Sequence, residues 1–399
     1  MTPKTVLPTL FLIAVIFAPI GAVLLVASNS VSQITLEYTK CNTATTEFTA
    51  LPDFDYQLRS SDSGKKINPP EWSSPDGGKT CRIRFHLPAD LGSPVFLYYR
   101  LTNFYQNHRR YTRSLDTDQL KGKDRSANSL DSGDCKPLAK ENDKPIYPCG
   151  LIANSMFNDT IGQPVLLNTL GNGETNQTYT FSYSNIAWPG ERKKYTDTPK
   201  YKPSEVVPPP NWRQIWPEYN ETVGFPKLAS DEHFQNWMRT AGLPTFTKLY
   251  GRNDNEPMRE GTYIIDIGMN FPVEQFSGTK AIVISTVAWI GGKNPFLGWS
   301  YVATAGLFMF LALAGTLRHV IKPRYVLELC VPVQLWLTRP AQETRRHVSP
   351  VMEPAGEAID IFEHENQSFS RHCMPPVLLV MLFGRFELSW LETGVQRML

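Results

Sequence analysis

Two uncharged apolar runs, Val6–Ala27 (VLPTLFLIAVIFAPIGAVLLVA) and Phe296–Leu317 (FLGWSYVATAGLFMFLALAGTL), bracket most of this 399-residue chain. Each holds 22 residues. At about 1.5 Å per residue such a helix is about 33 Å long, enough to cross a hydrocarbon core of about 30 Å. A soluble core helix rarely stays uncharged for so long. Pro8, Pro19 and Gly21 would weaken a helix in water but are tolerated in a membrane. A signal peptide has an apolar region of about 7–15 residues and a small-residue cleavage site. The first run is longer and no A-x-A site follows it, so it reads as an uncleaved anchor.

Arg318, His319, Lys322 and Arg324 follow the second run directly. Positive flanks stay in the cytosol, which puts both termini there and the intervening chain on the other side. The expected organisation is a cytosolic N-terminus at 1–5, a span at 6–27, a lumenal or extracellular ectodomain at 28–295, a span at 296–317 and a cytosolic tail at 318–399. Trp299 and Tyr301, near the start of the second run, suit a wet interface.

Cys41, Cys81, Cys135 and Cys149 all fall in the 28–295 segment, an even number in an oxidising compartment. They allow three pairings, and the sequence does not choose among them. The local pair Cys135–Cys149 would close a loop stabilised by about 3 kcal/mol in the chain-entropy model, leaving Cys41 with Cys81. Sequons at Asn158, Asn176 and Asn220 lie in the same segment and are expected to carry glycans. A further one at Asn366 falls on the cytosolic side and is expected to stay bare.

The segment between the spans has strand-like stretches at Val95–Leu101, Tyr179–Tyr183, Thr262–Ile267 and Ile282–Trp289, rich in β-branched and aromatic residues and bounded by Gly, Pro, Asn and Asp. The 32 prolines and 12% aromatics also favour β structure with long ordered loops. Asp231–Ala241 is the best helix, with Phe234, Trp237, Met238 and Ala241 on one face and Leu243-Pro244 ending it. The fold class expected is a membrane protein whose two helices flank an antiparallel, sandwich-like β-rich ectodomain with short helices.

The 40 Lys+Arg nearly balance the 38 Asp+Glu, for a net charge of +2, which excludes a global polyanion-binding field. Locally, Asn103–Ser114 reads NFYQNHRRYTRS, cations interleaved with rings, as in a single-stranded nucleic-acid groove. On the lumenal side nucleic acid is not a usual partner, so these residues are read as structural or as contacts to a protein or to lipid head groups. Gly78-Lys79-Thr80 ends like a phosphate loop, but Ser73 stands where that pattern needs Gly; it and Gly171-Asn172-Gly173 read as turns. His364, His372 and Cys373 find no completing ligand for zinc. Asp53, Asp55, Asp116 and Asp118 read as solvated turn faces rather than acid–base pairs. The sequence thus predicts no catalytic residue, metal or cofactor.

Several strings, in order, resemble the cell-division-control-fifty family, also called the ligand-effect-modulator family. They are Asn103–Tyr111 (NFYQNHRRY), KPIYPCG from Lys144 to Gly150, NSMFNDT from Asn154 to Thr160, and Ile186-Ala187-Trp188. Further on come WMRTA from Trp237 to Ala241 with Leu243–Phe246 (LPTF), and GGKNPFLG from Gly291 to Gly298; Leu24–Asn29 (LLVASN) fits at the first junction. The match covers residues 5 to about 320. Members are accessory β subunits of type IV P-type ATPases, the phospholipid flippases. The resemblance implies two membrane helices, a glycosylated and disulfide-linked sandwich-like ectodomain, Cys135–Cys149 as one bridge and Asn158 as a used glycan site. It also implies a non-catalytic role: binding the ATPase α subunit, carrying it out of the endoplasmic reticulum and supporting its cycle. It implies as well an integral membrane protein of the secretory pathway (endoplasmic reticulum, Golgi, endosome or plasma membrane).

Candidate interface or structural residues are Arg109, Arg110, Tyr111, Trp237, Arg239, Lys293, Asn294 and Pro295. Arg109 and Arg110 are expected to organise the ectodomain core loops, to face the α subunit, or to form an internal Arg–carboxylate or cation–π stack. Lys293 is expected to snorkel to lumenal head groups. Gly298, Ala303, Ala305 and Gly306 are expected to give close contacts to a multispan partner. The chain departs from the family at Met1-Thr2-Pro3-Lys4, where a cytosolic tail is usual, and at residues 325–399, which resemble nothing in it and are expected to be disordered. Both departures read as gene-model errors ahead of a lineage-specific tail. The competing functional readings are a membrane-anchored glycosidase-like enzyme and a receptor or adhesion protein.

Overall fold

The structure, a computed structural model, describes residues 3–167 and 176–322. The tail at 325–399, the Asn366 sequon, His364, His372, Cys373 and Gly171-Asn172-Gly173 lie outside the described residues. Described residues up to Thr316 form one compact unit; 317–322 belong to a second and are helical to Ile321.

Seven strands carry the ectodomain: β1 Gln33–Glu37, β2 Phe54–Gln57, β3 Thr80–Leu87, β4 Val95–Leu101, β5 Phe246–Asn253, β6 Gly261–Gly268 and β7 Lys280–Thr286. One sheet has the order β5-β4-β7-β1-β2, all antiparallel. The second is centred on β6 and β3, with the short strands Val165–Leu166 and Gln177–Thr178 beyond β6 and Glu71–Ser73 and Thr49–Ala50 beyond β3. The alternation TCRIRFHL in β3 sends Cys81, Ile83, Phe85 and Leu87 into the core. There they join Tyr263, Ile265 and Ile267 of β6 and, from the first sheet, Ile34, Leu36, Leu97, Tyr99 and Ile284. The outward face of the second sheet is charged, with Arg82 bidentate on Asp266 at 2.7 and 2.9 Å. This is the expected sandwich-like class.

The four helices used below are α1 Pro3–Asn29, α2 Arg109–Arg113, α3 Glu232–Met238 and α4 Pro295–Ile321. Helices α1 and α4 are long and apolar enough to cross a membrane, and little of either is buried. They extend the expected spans by a few residues at each end. Because β1 follows α1 and β7 precedes α4, the pairing Gln33↔Ser285 delivers both helices from one end of the first sheet. They pack antiparallel along a seam of small residues at every seventh position: Ala14, Gly21 and Ser28 against Gly298, Ala305 and Ala312. A Cβ on Gly298 would lie 2.7 Å from Leu25 Cγ, and one on Gly21 2.8 Å from Val302 Cγ2. Gly298 and Ala305, expected to meet a partner, are therefore spent within the chain; Ala303 and Gly306 point away from the seam and stay exposed.

Three local expectations are corrected. The helix expected over Asp231–Ala241 is only Glu232–Met238: Asp231 is its N-cap, and Arg239 leaves helical geometry at ψ 96°. Lys248 Nζ takes up the carbonyls at that end, those of Asn236, Trp237 and Arg239 at 2.7, 3.3 and 2.5 Å. Tyr179–Tyr183 is not a strand. It passes from one sheet edge to the other, with Tyr179 N–H on Pro164 O and Ser182 bridged to Arg252. The strand expected at Ile282–Trp289 stops at Thr286, and the chain then turns tightly between Ala288 and Gly291.

Candidate functional site

The stretch Asn103–Ser114 leaves the far end of the first sheet, since Leu101 pairs with Lys280 and Val95 with Thr286, next to the spans. Seven residues of β4 place it about 20 Å from that end. Two of its three rings turn inward, and Tyr105 stays exposed. Phe104 is buried with Trp237 at 5.6 Å, Phe276 at 5.5 Å and Tyr111 at 6.0 Å between ring centres. Tyr111 is buried and its hydroxyl lies 2.8 Å from Ser155 Oγ. Gln106, fully buried, accepts the N–H of Ala241. The cations turn outward: Arg109, Arg110 and Arg113 ride on α2, capped by His108, and all three are exposed. None has an ion-pair or ring partner among the described residues, so the internal carboxylate or cation–π stack expected for Arg109 and Arg110 is not formed. Phe104 and Tyr111, being in the core, offer no base-stacking platform. Head-group contact is also removed by the distance from the spans.

Trp237 is wholly buried, its Nε1–H donating to Ile152 O at 2.8 Å, and belongs to the core. Arg239 is exposed and stacks on the Trp188 ring at 3.9 Å. Lys293 does not reach outward to head groups. Its Nζ donates to the carbonyls of Val31, Gln57 and Leu58 at 3.2, 3.3 and 3.0 Å, where the strand-to-span junctions converge. Asn294 N–H donates to Ser28 Oγ at 3.0 Å, and Pro295 opens α4. The string GGKNP thus clamps both spans to the ectodomain.

The structure joins Cys41 to Cys81 and Cys135 to Cys149. Asn176 and Asn220 are exposed, and Asn158 is half-buried. Beside it, Asp159 is buried and central: it receives Lys280 Nζ at 2.7 Å, Tyr38 OH at 2.9 Å and the N–H groups of Asn270 and Phe271 at 2.5 and 2.6 Å. Burial pushes the Tyr38 hydroxyl pKa well up, with Asp159 adding to it, and burial pulls the Lys280 ammonium down against the pull of Asp159. Sequence reasoning missed this cluster. Its one visible signal was a lysine opening the apolar strand KAIVIST.

Local structure accounts for three of the four carboxylates, and Asp53 is exposed with no side-chain partner among the described residues. Asp116 Oδ1 accepts the N–H of Gln119 at 2.7 Å, Asp118 pairs with Lys123 at 2.9 Å and Asp55 accepts from Gln57. Gly78-Lys79-Thr80 closes a turn in which Asp76 accepts from Thr80. Among the described residues no three His, Cys, Asp or Glu side chains gather as a metal site.

These features define a class: a pair of apolar helices clamped to a disulfide-linked β-sandwich. The chain belongs to the LEM3 (ligand-effect modulator 3) family / CDC50 family, whose model matches residues 24–325. It is similar to the Phospholipid-transporting ATPase accessory subunit CRF1 of Saccharomyces cerevisiae, 41% identical over 81% of this chain and 82% of that one. It is also similar to Cell cycle control protein 50A of Bos taurus, 38% identical over 82% and 85%, and to ALA-interacting subunit 3 of Arabidopsis thaliana, 33% identical over 81% and 82%. With its two candidate spans, the chain is an integral membrane protein.

Proposed function

We propose that this chain is a non-catalytic accessory β subunit of a phospholipid-translocating type IV P-type ATPase. The reading is carried by the similarity to proteins named accessory subunits of phospholipid-transporting ATPases, which covers 81% of the chain for one of them, with the family match running from residue 24 through the ectodomain and the second helix. It is supported by a charged ectodomain in which Asp55, Asp116 and Asp118 serve local structure and by a rigid junction that holds two helices in one orientation beneath it. The chain binds the α subunit, accompanies it out of the endoplasmic reticulum and supports lipid flipping. Both termini are cytosolic, the segment 28–295 is lumenal or extracellular, and Asn158, Asn176 and Asn220 carry glycans.

Arg109 and Arg110, exposed and unpaired, face the α subunit and offer forked donors to its carboxylates or carbonyls. Pull-down of the tagged full chain in mild detergent, followed by mass spectrometry, should recover a protein of about ten spans with ATPase activity that depends on this chain. Recovery of no such protein would overturn the proposal. Arg109→Ala should weaken that recovery while expression and glycosylation stay normal; unchanged recovery removes the role given to Arg109.

A further inference from the structure

The end of the first sheet nearest the spans carries a cleft of about 920 Å³. Its floor is Phe96 and Tyr98, from the outward face of β4, and its walls are the loop around Trp188 and Arg192 and the turn around Trp289. Two guanidinium groups line it, those of Arg252 and Arg192, a third, Arg239, stacks on the lining ring of Trp188, and the three are unequally engaged. Arg252 lies over the Phe96 ring at 5.2 Å and is bound by both oxygens of Asp254 at 2.8 Å. Arg239 stacks on Trp188 and has no carboxylate partner among the described residues. Arg192 is exposed and has no hydrogen-bond or ion-pair partner for its side chain among them. The acid on the same wall, Glu232, is already occupied by the N–H groups of Ile186 and Ala187 at 2.7 and 3.0 Å. Arg192 is therefore the lining guanidinium with no carboxylate bound to it, and it stands beside an aromatic floor.

Its depth relative to a bilayer follows from the chain. Helix α4 has 27 residues and is about 40 Å long, against a hydrocarbon core of about 30 Å and a full bilayer of about 40–45 Å. Its first turn thus lies in the head-group layer. Gly292, on the rim of the cleft, is within about 11 Å of Pro295 along the chain, so the rim borders the same layer. Trp289 stands at the tip of a turn closed by two hydrogen bonds of 2.9 Å between Ala288 and Gly291, and is 77% exposed. Lys293 pins the base of that turn. A rigid turn presenting a bare indole at head-group depth has the build of an interfacial anchor.

We infer that this cleft holds the phosphate and glycerol of a phospholipid from the leaflet on the ectodomain side, with Arg192 donating to the phosphate and Trp289 seated at the interface. Phosphate matches the forked donors of arginine, and the position within the head-group layer selects a lipid. The inference rests on the membrane topology proposed above and not on which ATPase is the partner.

The test uses the glycosylated full chain in mild detergent, titrated with dioleoyl phosphatidylcholine and read by native mass spectrometry, with ATPase recovery scored in the same preparations. Wild type should retain the lipid saturably. Arg192→Glu should weaken retention about tenfold or more, Trp289→Ala should also weaken it, and Arg113→Glu, at the far end of the ectodomain, should not. Equal retention in all four proteins would overturn the inference. Displacement by inorganic phosphate as readily as by glycerophosphocholine would reduce the cleft to an anion site and overturn the lipid assignment. Loss of ATPase recovery in Arg192→Glu with lipid retention unchanged would give the cleft to a partner loop, overturning the inference while leaving the proposed function standing.

Discussion

Lys280 Nζ lies 2.7 Å from Asp159 Oδ2 where the two side chains are 4% and 0% exposed. The pair ties β7 to the segment that carries the Asn158 sequon, and its other acceptor and donors come from Tyr38, Asn270 and Phe271. A buried pair of this kind contributes little net stability over an apolar substitute, but removing one partner strands the other charge. Asp159→Asn keeps the sequon and strands Lys280. The expected loss is about 3–5 kcal/mol, measured by chemical denaturation with tryptophan fluorescence; a loss under about 1 kcal/mol would show that the pair is not closed off from water.

Lys248 supplies a second buried cation. Burial brings its ammonium from 10.5 down to about 7, with nearby Arg239 adding to the shift, while three carbonyls at the end of α3 hold it in place. The folded pKa is below the unfolded one, so the folded chain binds fewer protons between the two values. Stability from this group is greatest above the unfolded pKa and is lost as pH falls towards about 7. The unfolding temperature of wild type relative to Lys248→Met should therefore climb with pH between those values. A flat difference across that range would refute the assignment.

The two disulfides close loops of different length, with sequence separations of 40 and 14. In the chain-entropy model they stabilise by about 4 and about 3 kcal/mol. Replacing Cys41 and Cys81 by Ser should cost more than replacing Cys135 and Cys149, as read from denaturation midpoints at equal slope. The reverse order would mean that strain or residual unfolded structure dominates the simple loop term.

Two glycines of α4 should respond oppositely to enlargement. Gly298 faces Leu25 at 2.7 Å from a built Cβ, whereas Gly306 has nothing within 4 Å. Gly298→Leu should separate α1 from α4, abolishing cysteine cross-linking engineered across the Leu7–Gly315 contact. Gly306→Leu should leave that cross-link intact. Loss of ATPase recovery in Gly306→Leu, with the cross-link preserved, would place the partner against that face. Loss of the cross-link in Gly306→Leu would disprove the seam.

Much of this molecule is written in local pattern. Twenty-two uncharged residues declare each span without reference to anything else, and β-branched and aromatic composition declares the strands at Val95–Leu101 and Thr262–Ile267, whereas the alternating strand Thr80–Leu87 was not read from the sequence. Long-range relations are not local, and there the sequence was silent or misleading. Helix Glu232–Met238 stops early because a lysine ten residues further on occupies its last carbonyls. Tyr179–Tyr183 has strand composition, yet it spends its hydrogen bonds on two different sheets.

The rings and cations of Asn103–Ser114 were legible as a mixture, but their division into buried Phe104 and Tyr111 and exposed Arg109 and Arg110 was not. So, too, with Lys293, whose acceptors lie 235 to 262 residues away along the chain, and with Lys280 and Asp159, 121 residues apart. Sequence alone determined the membrane class, the β-rich ectodomain and the family. Only the tertiary structure decided which small residues join the two helices to each other, which charges are entombed and which arginines remain free, because burial and pairing depend on what distant segments bring to the same place.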